Sequence, residues 1–136
     1  MREKCLLGIA LALLMGVCTT VLAGDKPDPR EDLATAVPEA IRLLKERKYE
    51  DFIASFVSPE ELEQIRDRKK MSIKEVAAKF EKTHAALLLK ILQSIEGKQP
   101  TLAEDRASAT FQHDVNGAHS PVITFVKVDK LWYIKN

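Results

Sequence analysis

The fold of this chain is organised around SPVITFVKVDKLWYIKN, residues 120–136. Apolar, mostly β-branched residues dominate residues 122–128, and an apolar run returns at residues 131–134 after the polar pair Asp129-Lys130. Such side chains favour strands, and a short polar interruption between two of these runs favours a turn. The stretch therefore predicts a β-hairpin whose second strand carries Trp132, the one tryptophan of the chain.

The strand before this hairpin is predicted at residues 106–114, followed by the turn Val115-Asn116-Gly117. Asn-Gly favours a two-residue turn, but that register pairs Phe111 with Val122 and divides the larger apolar residues between two faces. A three-residue loop with Gly117 in the left-handed conformation keeps one face apolar, and we predict that register. Its pairs are Ala109 with Ile123 and Ala107 with Phe125.

Upstream of the strands the sequence predicts helices. The longest opens with a capping box at Ser72 and Glu75 and ends before Gly97. Apolar residues recur along it at steps of three and four, which is the pattern of one continuous amphipathic helix. The members of this stripe are Ile73, Val76, Ala77, Phe80, His84, Leu87, Leu88, Ile91 and Ile95.

Three shorter helices are predicted before it. The first covers about residues 36–48 with Thr35 as its N-cap, and the second covers residues 49–57. Ser58 caps the third, in which Pro59 takes the first helical position. Helices followed by antiparallel strands predict an α+β fold in which N-terminal helices pack on a curved antiparallel sheet.

The first 23 residues have the features of a secretory signal peptide. A basic start precedes an apolar core at residues 6–17, and small residues precede a cleavage point after Ala23. We expect residues 24–33 to be a flexible leader and residues 34–136 to be a single α+β domain. The sequence thus predicts a protein that is exported, either periplasmic or secreted, with no integral membrane segment after the signal is removed.

A lipid anchor on Cys18 is the alternative. Bacterial lipoproteins are cut just before a cysteine that then carries lipid. This chain has Met15 and Val17 where the lipoprotein motif places a leucine-like and a small residue. We therefore expect a protein without a lipid anchor.

Composition narrows the possible functions. The chain has 21 basic and 20 acidic residues, so it offers no excess of charge for nucleic acid or an anionic membrane. Both cysteines, Cys5 and Cys18, lie in the signal peptide, so the mature chain would have neither a disulfide nor a thiolate metal site. We expect no cofactor.

The end of the chain resembles the nuclear transport factor 2-like superfamily, and most of all its small exported bacterial members of unknown function. The pattern is apolar-Lys-x-Asp-Gly-x-Trp-x-Ile, and residues 125–136 match it except that Lys130 stands where Gly is usual. The resemblance implies a cone-like sheet around helices, with a pocket at the open end. Members include isomerases, polyketide cyclases, dehydratases and non-catalytic binding domains, so the resemblance alone does not choose a function.

The candidate pocket residues are His84, Phe80, Trp132 and Tyr49. His84 interrupts the longest apolar stripe, so its ring is either a general base in a pocket or a packing residue at the core edge. We assign no catalytic residue and expect the packing role. Tyr133 is expected on the face opposite Trp132.

A metal site is a further hypothesis. His113 and His119 lie opposite each other in the predicted register, and two imidazoles could bind Zn²⁺ or Cu²⁺. A metal site needs a third ligand, and no residue at the spacing of a known metal-binding motif supplies it. We therefore predict no metal site.

Three functions follow in order of preference. The first is an exported, non-catalytic binding or accessory domain for a small apolar ligand or a protein partner. The second is a pocket enzyme of the isomerase, cyclase or dehydratase type with His84 as base. The third is a structural homodimer joined through the outer face of the sheet, whose residues are Thr110, Val122, Val126, Val128 and Tyr133.

Overall fold

The structure is a computed structural model that describes residues 26–135. The predicted α+β class is confirmed, since helices precede an antiparallel sheet and pack on it. The helices are α1 (Leu33–Lys45), α2 (Tyr49–Phe56), α3 (Pro59–Arg68), α4 (Ile73–Thr83) and α5 (Ala85–Ile95). The strands are β1 (Thr101–Leu102), β2 (Ser108–Gln112), β3 (Val122–Val128) and β4 (Leu131–Ile134). The predicted signal peptide, with Cys5 and Cys18, lies outside the described residues.

Helix α1 begins earlier than predicted, at Leu33 rather than after Thr35. Asp32 is its N-cap, because its carboxylate accepts a 3.0 Å hydrogen bond from the backbone N–H of Ala34. Thr35 lies in the first turn, and its hydroxyl donates to the Pro29 carbonyl at 2.6 Å. Both residue types cap helices well, but an ionised carboxylate makes the stronger bond to a backbone N–H.

The single long helix predicted from Ser72 to Gly97 is wrong, because two helices, α4 and α5, meet at His84. The backbone of His84 leaves helical geometry, with φ −130° and ψ −21°. Just before it, the Thr83 hydroxyl donates to the Lys79 carbonyl at 2.8 Å. Such a bond to the preceding turn bends helices. The break directs the two halves of the apolar stripe to different partners, since α4 packs on α2 and α5 packs on α1.

The sheet is a meander in the order β1-β2-β3-β4 with antiparallel neighbours. The predicted register of β2 against β3 is wrong by two residues, since Ala109 lies opposite Phe125 and Phe111 lies opposite Ile123. This register brings the Phe111 ring edge-on to the Phe125 ring, with 5.7 Å between centroids. A register shift by an even number of residues keeps every side chain on its predicted face of the sheet, because side chains along a strand alternate with a period of two.

The predicted three-residue loop is also wrong. The connection between β2 and β3 instead spans residues 113–121 and is closed by a 2.8 Å hydrogen bond from the His113 N–H to the Pro121 carbonyl. Gly117 has a φ of +93°, the left-handed conformation expected of it. The longer loop matters for function because it lies beside the cleft described below.

The last hairpin turns through Asp129 and Lys130 alone, since Val128 lies opposite Leu131. Both turn residues have positive φ, +49° for Asp129 and +72° for Lys130. Positive φ at both central residues is the signature of a type I′ turn, which fits the twist of a hairpin. The turn is therefore tight even though Lys130 replaces the usual glycine.

Replacing Lys130 with glycine is expected to raise the free energy of unfolding by about 0.5–1 kcal/mol. A side chain in the left-handed region costs about 1–2 kcal/mol, and the extra backbone entropy of glycine offsets part of the gain. Urea melts of the variant and the parent measure the change. Lys127→Gly is the matched control, because Lys127 lies in β3 and glycine weakens a strand interior. If the Lys130→Gly variant is no more stable than the parent, the positive φ of Lys130 does not strain the backbone.

The core lies between the helices and one face of the sheet. Trp132, which is 6% exposed, lies on that face with the fully buried Phe125, as the sequence predicted. The Lys127 ammonium lies over the Trp132 ring at 5.6 Å and shields it from one side. From the helices, Phe56 and Leu92 complete the centre of the core, and both are 0% exposed.

The opposite face of the sheet is covered in part by the residues before α1. Pro29–Glu31 form a turn of 3₁₀ helix inside the segment predicted to be a flexible leader. The Arg30 guanidinium lies over the Tyr133 ring, 5.7 Å from its centroid, and donates to the Ser55 carbonyl at 2.7 Å. Hydrogen bonds from Arg30 also hold the pKa of Asp28 below its ordinary value. Arg30 thus ties this segment to α2 and β4.

Candidate functional site

A cleft of about 760 Å³ opens between helices α2–α5 and the end of the sheet where β2 and β3 are joined. Its volume is in the range of small-molecule sites. Two smaller depressions of about 430 Å³ each also occur, but charged side chains form much of their lining. The cleft is therefore the candidate functional site in the described part of the chain.

Apolar side chains form the floor of this cleft. Phe56 is 0% exposed and stacks on Phe52 with 5.4 Å between ring centroids. Phe52 stacks in turn on Phe80 at 5.4 Å, and Phe80 lies parallel to the His84 ring at 6.4 Å. This row of rings runs from the core to the edge of the cleft. Leu87, Leu88 and Ile91 from α5 and Val122 and Ile123 from β3 complete the apolar walls.

The ionisable side chains of the lining are all basic. They are Lys69, Lys79, Lys135, His84, His113 and His119. These six residues are called the basic rim below. None of the lysines in this set forms an ion pair within the part of the chain that the structure describes. The lining contains no aspartate or glutamate, although the chain has nearly as many acidic as basic residues.

His113 is the one buried polar or charged residue among residues 26–135, at 7% exposure. Its Nδ1 accepts a 3.3 Å hydrogen bond from the backbone N–H of Val115. A neutral imidazole carries one proton, so the proton of His113 is on Nε2. Nε2 has no hydrogen-bond partner among the described residues, which leaves a donor beside the cleft.

His84 is exposed at the edge of the cleft, and its ring is not enclosed at the core edge as the packing role required. Its Nδ1 is 2.6 Å from the Thr83 hydroxyl, whose proton is already donated to the Lys79 carbonyl. Nδ1 is therefore the donor to Thr83, and the lone pair of the neutral ring is on Nε2. The helix break explains the position, since it turns His84 out of the apolar stripe.

The other predicted pocket residues divide between the cleft and its surroundings. Phe80 lines the cleft with His84, whereas Trp132 and Tyr49 do not. Trp132 is in the core, and Tyr49 contacts the Phe80 ring edge-on at 6.1 Å from outside the cleft. Sequence patterns did not reveal the lysines of the rim, because each lies on a different element and no spacing connects them.

The two histidines considered for a metal do not face each other. His113 is bonded to Pro121 across the loop, so the predicted pairing of His113 with His119 is wrong. Both residues line the cleft. Across residues 26–135 there is no group of three potential metal-ligating side chains close enough to hold an ion.

The outer face considered for a homodimer is only partly exposed. Tyr133 is 7% exposed beneath Arg30, whereas Val128 is 40% exposed at the end of β3. The other residues of this face, Thr110, Val122 and Val126, are half-buried. Tyr133 is therefore not free to form the centre of a contact with a second chain while Arg30 covers it.

Comparison with known proteins finds no matching family model and no match among curated proteins or solved structures. None of the helices within residues 26–135 has both the length and the hydrophobicity needed to cross a membrane.

Proposed function

We propose that this domain binds a small apolar ligand in its cleft and does not itself catalyse a reaction. The observation that carries the proposal is a cleft of about 760 Å³ whose floor is a row of stacked aromatic rings. Clefts of this size with apolar walls and few polar groups are the usual form of small-molecule sites.

The surroundings of His84 support binding over catalysis. A general base acts in concert with groups that orient it or stabilise the charge that develops on the substrate. Within the described residues, the one hydrogen-bond partner of the His84 ring is the Thr83 hydroxyl. Thr83 fixes the tautomer of the ring, but no second ionisable group lies within hydrogen-bond distance of it.

We also infer membership of the nuclear transport factor 2-like superfamily, from the resemblance at residues 125–136. Support comes from the order of elements, with helices followed by an antiparallel meander, and from a tight turn at Lys130 where the family has glycine. A cleft between the helices and one end of the sheet also agrees with the pocket that the resemblance implies.

The test of the binding function is a neutral fluorescent probe, Nile red, titrated against the mature chain. We expect saturable binding of one probe per chain. Leu88→Gln is expected to weaken it at least tenfold, because Leu88 lines the cleft and a buried leucine contributes about 1.5–3 kcal/mol. Lys90→Gln, on the exposed face of the same helix, is the control and should bind as the parent does.

Thermal melts of both variants establish that they are folded. Absence of saturable binding to the parent chain would overturn the proposed function. Equal binding by Leu88→Gln and the parent would place the probe elsewhere on the surface and would count against the cleft.

We further propose that the protein is exported after cleavage at Ala23. The basic start and the short apolar core of the first 23 residues support this. The intact mass of the protein recovered from the periplasm or medium should correspond to a chain that begins at Gly24. A mass that includes lipid on Cys18, or a chain retained at full length in the cytoplasm, would contradict the proposal.

A further inference from the structure

The basic rim has a composition that the chain as a whole does not have. With 21 basic and 20 acidic residues, an unbiased surface would combine the two signs of charge. In the cleft, all the ionisable side chains are lysines or histidines, and all three histidines of the chain are among them. A cleft lined by one sign of charge concentrates the opposite charge.

The charges of the rim are also uncompensated. Among the described residues outside the cleft, some basic side chains pair with carboxylates, as Arg42 does with Glu39 and Glu46. Lys69, Lys79 and Lys135 have no carboxylate within ion-pair distance in that part of the chain, and each is exposed at the edge of the cleft. These ammonium groups are free to approach a ligand.

His113 adds an observation that is independent of the lysines. It is 7% exposed, lines the cleft, and has its Nδ1 occupied by the Val115 N–H. The remaining Nε2–H has no acceptor among the described residues. An acceptor on a ligand bound in the cleft would form a hydrogen bond with this N–H group.

We propose that the cleft binds a single-chain amphiphile with a carboxylate head group, a long-chain carboxylic acid in its ionised form. The apolar tail lies along the half-buried apolar side chains of the lining, Phe80, Leu87 and Leu88, and the carboxylate lies at the basic rim. The volume of about 760 Å³ is within the range of sites that hold one small molecule. This inference rests on the proposed function, since it names the ligand class for the same cleft.

The experiment compares four ligands with the same twelve-carbon tail on the mature chain. They are dodecanoate, dodecyl phosphate, dodecanol and dodecyltrimethylammonium, each below its micelle concentration and each measured by displacement of Nile red. We expect dodecanoate to bind at least tenfold more tightly than dodecanol, and the cationic ligand to bind least. Added salt should reduce the preference for dodecanoate, because the three lysines of the rim are exposed and salt screens their charges.

The double substitution Lys69→Gln/Lys79→Gln should reduce the preference for dodecanoate over dodecanol to less than about threefold. Its affinity for dodecanol should not change, because both lysines lie at the edge of the cleft and not on its apolar floor. The matched control is Lys45→Gln/Lys90→Gln, which removes two exposed lysines from outside the cleft and should keep the full preference.

The outcomes separate two claims: that the cleft binds an apolar ligand, and that its rim selects a carboxylate head group. Equal affinity for dodecanoate and dodecanol would overturn the charge inference and leave the proposed function standing. Failure of Nile red itself to bind would overturn both. A clear preference for dodecyl phosphate over dodecanoate would reject the carboxylate and assign the rim to a phosphate head group. Loss of the preference in the control variant would show that overall charge, and not the rim, produces it.

Discussion

Replacing Trp132 with alanine is expected to lower the free energy of unfolding by about 3–5 kcal/mol, the usual range for emptying a large buried aromatic site. Trp132 is 6% exposed and belongs to the core cluster with Phe125. The substitution removes a ring that lies on the core face of β4, next to the end of the chain. The strands around it cannot close the space without giving up their register, so a cavity should remain.

Urea melts of parent and variant measure this loss. The matched control is Leu131→Ala in the same strand, since Leu131 is half-buried on the outer face. That change should cost about 1 kcal/mol, because a partly exposed side chain loses less on truncation. A loss below 1 kcal/mol for Trp132→Ala would mean that the ring is exposed and that β4 faces the other way.

Replacing Phe56 with alanine is expected to cost a similar amount, about 3–5 kcal/mol, and also to enlarge the cleft. Phe56 is fully buried, stacks on Phe52 at 5.4 Å and belongs to the lining of the cleft. Phe80→Ala is the matched control within the same row of rings. It should cost about 1–2 kcal/mol, because Phe80 is half-buried and lies nearer the edge.

A small neutral aromatic molecule should partly restore the stability of the Phe56→Ala variant. An apolar cavity left by truncation stays dry and binds such molecules, and a ligand that binds the folded state alone stabilises it. Saturating benzene should therefore raise the melting temperature of Phe56→Ala by several degrees more than that of the parent. An equal shift in the two proteins would mean that the floor collapses into the vacated space.

Signals that act within a few residues were sufficient to predict several features. Ser58 and Ser72 cap α3 and α4 as predicted, and the capping box of Ser72 with Glu75 is complete. Trp132 lies on the core face with Phe125 as predicted, because alternation along a strand needs no knowledge of the loop. These features depend on neighbouring hydrogen bonds and on the period of each element.

The candidate site was only partly predictable. Phe80 and His84 were identified as pocket candidates because both belong to the stripe of the longest apolar pattern, and both line the cleft. Trp132 and Tyr49 were also candidates, yet one fills the core and the other contacts Phe80 from outside. Conspicuous aromatic residues indicate burial, and burial does not distinguish a core from a cleft.

The α+β class, the caps of α3 and α4 and the faces of the strands could be predicted from the sequence, because they follow from periodicity and local hydrogen bonds. The tertiary structure was needed to define the register of β2 on β3, in which the Phe111 ring packs on Phe125 and a loop of residues 113–121 joins the two strands. It also decided the break at His84, where α4 and α5 turn to different helices. The basic rim likewise exists only in three dimensions, because its lysines and histidines come from several segments between residues 69 and 135 that folding brings to one cleft.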